Sequence, residues 1–356
     1  MTMTMTMNRS QDSRTDIPIV AIVGPTASGK TDLAIALALK ADAEIVSVDS
    51  QQVYQGMDIG TGKATLEQQS QVPHHLLDVA PPDEPMTAAR FVELADQAIV
   101  DIASRRRSVV LAGGSGLYYR ALVYGLFAGP GADPHLRDGL EAEARVIGVE
   151  SLWERLRAVD PWAAAKIDRH DLVRTIRALE VYLLTGRPIS EHQVSHDYRK
   201  APPRYQVLSV GLDPPRDELT RRIDARVETM VKEGLVDEVR ALLARGFSPS
   251  LRAMAAIGYR EICAHVGGQL GLAEAIERIK RATRKYARRQ LAWFRSEPAV
   301  TWYKGATVVD TSSLADWLAA GGRGQERGVL HERLRDHHLL LSGATATATP
   351  EPGGQE

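Results

Sequence analysis

Gly24-Pro25-Thr26-Ala27-Ser28-Gly29-Lys30-Thr31 is a complete G-x-x-x-x-G-K-[ST] run. It follows the apolar stretch Ile17 to Val23 and precedes Asp32 to Lys40, the strand–loop–helix context that gives the pattern meaning. Backbone N–H groups of such a loop, with the positive end of the helix dipole, make a concave anion hole. Lys30 then reaches a terminal phosphate as a point charge, and the Thr31 hydroxyl is placed to meet a Mg²⁺. The reading is a di- or triphosphate site.

Asp49 ends the apolar segment Glu44 to Val48, so in a parallel sheet it shares a rim with Lys30 and Thr31. That position makes it a general-base candidate rather than a turn cap. The segment Ser108 to Ala112 runs into Gly113-Gly114-Ser115-Gly116 with no carboxylate, which argues against an NTP-hydrolysing motor. Arg222 and Arg226 stand i,i+4 beside Leu219, Ile223 and Met230; a solvated face and a phosphate-directed pair explain them equally well. Glu277 to Arg295 concentrates eight Lys and Arg residues against one acid, with Ile279, Tyr286 and Trp293 at helical spacing. In a chain of net charge −1 that basic flank points to a polyanion partner, with a solvated face as the rival. Gly113 to Leu117 lacks the closing glycine of a nucleophile elbow, and no G-x-G-x-x-G follows a strand.

These groups need a scaffold. Strand-like segments at 17–23, 44–48, 108–112 and 205–212, with a short one or two near 300–310, alternate with helical patterns at 31–40, 87–104 and 215–233. The expected fold is α/β, a P-loop-type parallel sheet flanked by helices, formed by residues 17–124 and 204–312. Between them, residues 125–203 read as a helical insertion, with N-cap and first-turn proline pairs at Asp133-Pro134 and Asp160-Pro161. Residues 1–16 and 321–356 read as a disordered leader and tail. The chain has 356 residues, and its single cysteine, Cys263, excludes an intrachain disulfide and fits a reducing cytoplasm. No apolar run is long enough to span a membrane.

Taken together, the motifs resemble one family, the tRNA dimethylallyltransferases (tRNA isopentenyltransferases). They are the phosphate loop 24–31, Asp49-Ser50-Gln51-Gln52-Val53-Tyr54, Gly56 to Lys63, His74-His75-Leu76-Leu77-Asp78 and Gly113 to Tyr118. Arg174 to Glu180, Ile257-Gly258-Tyr259-Arg260-Glu261 and Arg288-Arg289-Gln290 follow in order. The resemblance implies transfer of a dimethylallyl group from its pyrophosphate to the 6-amino group of an adenosine just 3′ of the anticodon, in tRNAs reading codons that begin with U. It implies Mg²⁺, and a base flipped out of the anticodon loop into a channel. It assigns the base to Asp49, support of the leaving group to Thr31 and Arg226, and pyrophosphate binding to Gly24, Pro25, Thr26, Ala27, Ser28, Gly29, Lys30 and Thr31. By the same comparison tRNA contacts fall on Asp49, Ser50, Gln51, Gln52, Ser115, Arg137, Val173, Arg174, Thr175, Ile176, Arg177, Ala255, Ala256, Ile257, Gly258, Tyr259 and Arg260. The insertion would clamp the anticodon stem-loop, and a clamp needs no partner subunit, so a monomer is expected.

Two positions depart from the family pattern: Gly62 stands where many members have alanine, and Ala255 where many have a larger polar residue. Neither is expected to touch the chemistry. The rivals are a small-molecule kinase with ATP in the loop, and a non-catalytic RNA-binding module in which Asp49 is dispensable.

Overall fold

In the computed structural model, residues 14–322 are described apart from Ala128, His196 and Pro298. Most of the expected leader and nearly all of the expected tail lie outside the described residues. Six strands form one parallel sheet: β1 (Pro18–Val23), β2 (Ala43–Val48), β3 (His74–His75), β4 (Ser108–Gly113), β5 (Gln206–Leu212) and β6 (Val300–Tyr303). Their order is β3-β2-β4-β1-β5-β6. Strands covered by helices on both faces read as continuous apolar runs, and β1, with Ile19 to Val23 all buried, is such a run. The two-residue β3 was not expected; two residues leave no periodicity to read.

Register fixes where the loops emerge. Val23 of β1 pairs with Gly113 of β4, and Val48 of β2 pairs with the same Gly113. The carboxyl ends of three adjacent strands are therefore level, and Gly24, Asp49 and Gly114 leave the sheet side by side. Gly113 has no room for a side chain, since a Cβ there would lie 2.0 Å from the Val48 carbonyl oxygen.

The described residues divide into two compact units, one from 14–123 and 203–322 and one from 124–202. In the first, Val20, Ile22, Leu33, Leu37, Val110, Val210 and Trp317 form a core between sheet and helices. A second core joins Val53 and Met57 to Val227, Leu235, Tyr259, Ile262 and Ile279. It pins the segment after β2 onto the helices Arg216–Lys232, Leu235–Ala244, Tyr259–Val266 and Leu272–Arg295. Cys263 is buried there, and burial pushes its thiol up. No described helix is long and apolar enough to cross a membrane.

The second unit is helical, with its own core of Leu140, Leu152, Leu156, Ile176, Leu179 and Val181. Its helices start where the capping signals place them. Asp133, Asp160 and Asp171 each accept a backbone N–H three residues on. Gly186, in the left-handed region at φ 70, closes the helix Leu172–Thr185. At its centre the fully buried Glu180 carboxylate accepts from Arg137 (2.8 Å), Arg177 and the Asp133 backbone N–H (2.8 Å). Burial alone would raise the Glu180 pKa, but the hydrogen bonds from Arg137 and Arg177 outweigh it and hold it below its ordinary value.

Removing Glu180 leaves two guanidinium groups facing a gap, and Glu180→Ala should cost roughly 3 kcal/mol. The check is urea unfolding, read by a probe in residues 124–202. Because the folded pKa is depressed, Glu180's contribution is present above the unfolded value and disappears as pH falls through the folded one. The Glu180→Ala penalty should shrink accordingly in acid.

Candidate active site

The phosphate loop 24–31 begins at the carboxyl end of β1 and ends in the helix Lys30–Ala41. Gly29, at φ 90, turns the chain into that helix, and no side chain caps the helix start. The Lys30 ammonium folds back to the Pro25 carbonyl. Burial pushes it down to about 7; nearby Asp49 raises it and Arg226 lowers it further. Arg226 comes from the helix Arg216–Lys232, and burial lowers its pKa too, against the pull of Asp49. Its Nη2 donates to the Gly62 carbonyl at 3.3 Å, while its buried Nε has no partner. The Ser28 hydroxyl is buried in the loop, also without a partner. Two desolvated cations and one carboxylate thus share the rim, an excess of positive charge that an anion would offset.

Asp49 accepts the backbone N–H of Gln51 at 2.8 Å and of Gln52 at 3.4 Å through one oxygen. This fixes the carboxylate and leaves its second oxygen available to a substrate proton. Of the two arginines that spacing alone left undecided, Arg226, the one the resemblance assigns to the leaving group, is the more enclosed, half-buried against an exposed Arg222. Arg222 pairs with Glu218 on its own helix, and its Nη1 lies at the lip of the loop, 4.0 Å from the point a Gly29 Cβ would occupy.

Gly62 touches the site, contrary to expectation. It sits at φ 62, and a Cβ there would lie 1.6 Å from Arg226 Nη2. A relative with alanine at this position must place that arginine differently. The rest of the loop 56–63 is a frame. Glu238 accepts the N–H groups of Asp58 (2.9 Å), Ile59 (2.7 Å) and Gly60 (3.1 Å) and the Tyr259 hydroxyl (2.6 Å). Lys63 is buried against the Tyr54 carbonyl, Asp58 and Asp78.

Several side chains expected to contact RNA are engaged within the protein. Gln52 bridges Ser47 (3.0 Å) and the Gly62 carbonyl (3.2 Å). Ser115 is buried and accepts the Ser50 N–H at 2.9 Å. Thr175 and Ile176 lie in the core of residues 124–202, Arg137 and Arg177 hold Glu180, and Tyr259 is fully buried. Val173, Arg174, Ala255 and Arg260 remain exposed, while Ala256 and Ile257 are half-buried and Gly258 is buried.

Two contributors on the helix Leu272–Arg295 were named in the sequence, Tyr286 in a packing stripe and Gln290 in a family motif, but were given no role at the site. Gln290 is buried, accepts the Thr26 N–H at 2.9 Å and donates to the Gly114 carbonyl at 3.0 Å, tying the phosphate loop to the end of β4. Tyr286 lies beside Ser115, Gln290 and Asp49, and burial raises its pKa. Tyr286 was legible only as part of the helix's apolar stripe and Gln290 only as the end of the Arg288-Arg289-Gln290 motif, and neither signal says what the side chain faces. On another face of this helix, Arg281, Lys285 and Arg288 line a cleft of about 720 Å³ with Arg260 and Arg278. Among the described residues, no carboxylate pairs with Arg281, Lys285 or Arg288.

Fold and site together define an α/β enzyme of the P-loop type, with an anion-binding loop next to a fixed carboxylate. The IPP transferase family profile matches residues 52–297, and the chain belongs to that family. It is 54% identical over 297 residues to a tRNA dimethylallyltransferase of Anaeromyxobacter dehalogenans, covering 83% of this chain and 97% of the relative. A tRNA dimethylallyltransferase of Geobacter metallireducens is 51% identical, with 80% and 91% covered. The solved tRNA isopentenylpyrophosphate transferase of Bacillus halodurans superposes with TM-score 0.61 at 39% identity, covering 91% of this chain and 99% of that one. A eukaryotic dimethylallyltransferase, captured acting on tRNA, gives TM-score 0.70 at 26% identity, with 90% and 85% covered.

A bound anion should restore the Lys30 proton. At about pH 8.5, pyrophosphate binding by wild type should take up close to one proton more than binding by Lys30→Arg, whose charge does not titrate. Calorimetry in two buffers of different ionisation enthalpy measures this. Without ligand, Lys30's folded pKa of about 7 lies below its ordinary 10.5, so the unfolded chain binds the proton more tightly between them. Stability at this group therefore rises with pH across that window, and Lys30→Met should flatten the rise.

Proposed function

We propose that this enzyme transfers a dimethylallyl group from dimethylallyl pyrophosphate to the exocyclic 6-amino group of the adenosine 3′ of the anticodon, in tRNAs reading codons that begin with U. The observation that carries the reading is the juxtaposition of Asp49 with the desolvated pair Lys30 and Arg226. The relatives' names point to the same reaction.

In this reading the loop binds pyrophosphate as a leaving group. The allylic C–O bond breaks, the adenine nitrogen forms the new N–C bond, and the amine proton passes to Asp49. Lys30 and Arg226 take up the charge that grows on the departing pyrophosphate, worth several kcal/mol (about 3 per well-placed donor) when water is excluded. No residue needs to orient water, consistent with the missing carboxylate after β4.

The donor set fits a Mg²⁺. Among the described residues, no cluster of His, Cys, Asp or Glu could hold a metal ion on its own, so the ion would take its oxygens from Thr31, the pyrophosphate and water. Bound there, it would neutralise pyrophosphate charge. Residues 124–202 take the anticodon stem-loop, with Val173 and Arg174 as their exposed contacts, and Ala255 and Arg260 contribute from the other unit. One copy carries every part required, so the working form is a cytoplasmic monomer.

Transfer of radiolabel from dimethylallyl pyrophosphate to an anticodon stem-loop, with ATP as the competing donor, tests the reaction. Asp49→Ala should lower kcat by about 10²- to 10⁴-fold while pyrophosphate binding persists. Phosphorylation of a small molecule from ATP, with no label entering RNA, would establish the kinase instead. The basic cleft is the place for RNA phosphates in this reading. Replacing Arg281, Lys285 and Arg288 with Gln should reduce the slope of log K against log salt by about 0.7 for each phosphate no longer neutralised, with kcat for bound RNA preserved.

A further inference from the structure

Of the chain's five tryptophans, Trp162 is the only one with an exposed ring, at 72%. The others are placed. Trp317 is in the sheet core, Trp153 donates to the Ile167 carbonyl, Trp293 lies under the Arg120 guanidinium, and Trp302 is half-buried beside Gly211. Leaving an indole face in water forfeits burial that a core position would have gained.

Its surroundings hold that face rigidly. Trp162 lies in the short helix Pro161–Ala164, whose Ala163 and Ala164 are buried in the core of residues 124–202. Asp160, almost fully buried, accepts the Ala163 N–H and the Ser190 N–H, both at 2.9 Å, clamping this turn to the helix Ile189–Ser195. The ring therefore projects from a fixed support and would lose little freedom on binding a flat partner.

A cation stands beside it. Lys166 Nζ lies 5.3 Å from the ring centroid, and no carboxylate among the described residues pairs with it. Arg169 follows, exposed and likewise without an acidic partner, while the nearby Asp168 and Asp171 cap the turns at His170 and Arg174. An exposed indole with an unpaired ammonium over its ring matches one nucleotide, which brings a base to stack on the indole and a phosphate to neutralise the ammonium. An apolar protein partner would instead want a continuous greasy patch.

We infer that Trp162 is a stacking platform for an unpaired base of the RNA substrate, with Lys166 meeting the adjoining phosphate. The inference rests on the reading that this enzyme modifies RNA, and adds a base-contacting residue outside the family motifs named above. Single-stranded loops are where proteins stack aromatic side chains on RNA bases.

The test is equilibrium binding and dimethylallyl transfer with an RNA hairpin bearing a single-stranded loop, using the full chain. Trp162→Ala should weaken hairpin binding about 5- to 100-fold, raise KM in step and leave kcat within about two-fold. Trp162→Phe should recover most of the affinity. A blunt RNA duplex should bind wild type and Trp162→Ala equally, and the hairpin should quench fluorescence in wild type that is missing in Trp162→Phe. Trp162→Ala binding the hairpin as tightly as wild type would overturn the inference while the transferase reading stands. So would a Trp162 emission that shifts with protein concentration alone, which would assign the face to a second copy of the chain. A wild-type chain that neither binds nor modifies any hairpin would overturn both readings.

Discussion

Lys30 and Arg226 are positive groups largely shielded from water close to the Asp49 carboxylate, and much of the first unit exists to keep them there. Isolated cations in such surroundings are costly, as the lowered Lys30 pKa records. A folded protein tolerates that cost where a ligand of opposite charge removes it. The phosphate loop alone would bind many anions. A second shielded cation, and a carboxylate fixed by two backbone N–H groups, suit the proposed substrate, which brings a pyrophosphate and a proton to be lost.

The supporting network explains motifs that carry no chemistry of their own. Glu238 gathers three consecutive N–H groups of the loop 56–63, and Lys63 braces its far end against Asp58 and Asp78. Gly62 then presents its carbonyl to Arg226 and to Gln52. Gln290 performs the same service for the phosphate loop from a helix more than two hundred residues away in sequence. Gly62 contacts Arg226 and Gln290 contacts the phosphate loop directly, so a change at either reaches the rim without touching a substrate.

Residues 124–202 follow a different logic. Their core is small, and a buried carboxylate with two arginines lies at its centre, where loss of one partner costs more than the pair contributes. Arginines that look like RNA ligands in sequence are internal braces here. The surface is left to side chains such as Val173, Arg174 and Trp162.

Local chemistry was legible wherever neighbours in sequence are neighbours in space. The phosphate loop, the strand ends at Val23, Val48 and Gly113, and the helix starts at Asp133, Asp160 and Asp171 follow from hydrogen bonds within a few residues, and they stand where the sequence placed them. What a charged side chain faces is a long-range matter. Spacing alone could not distinguish Arg222 from Arg226, although the family resemblance chose Arg226; the packing of their helix against the helix Leu272–Arg295 and the loop 56–63 encloses that one and leaves the other paired with Glu218. The same holds for Gln290, Tyr286 and Glu238, whose partners lie far along the chain, and for Arg137 and Arg177, which Glu180 draws inward. The sequence by itself determined which groups exist and at which ends of the strands they emerge. Tertiary structure decided which of them lose their water, because desolvation depends on everything packed around a group and is not a property of its neighbours in the chain.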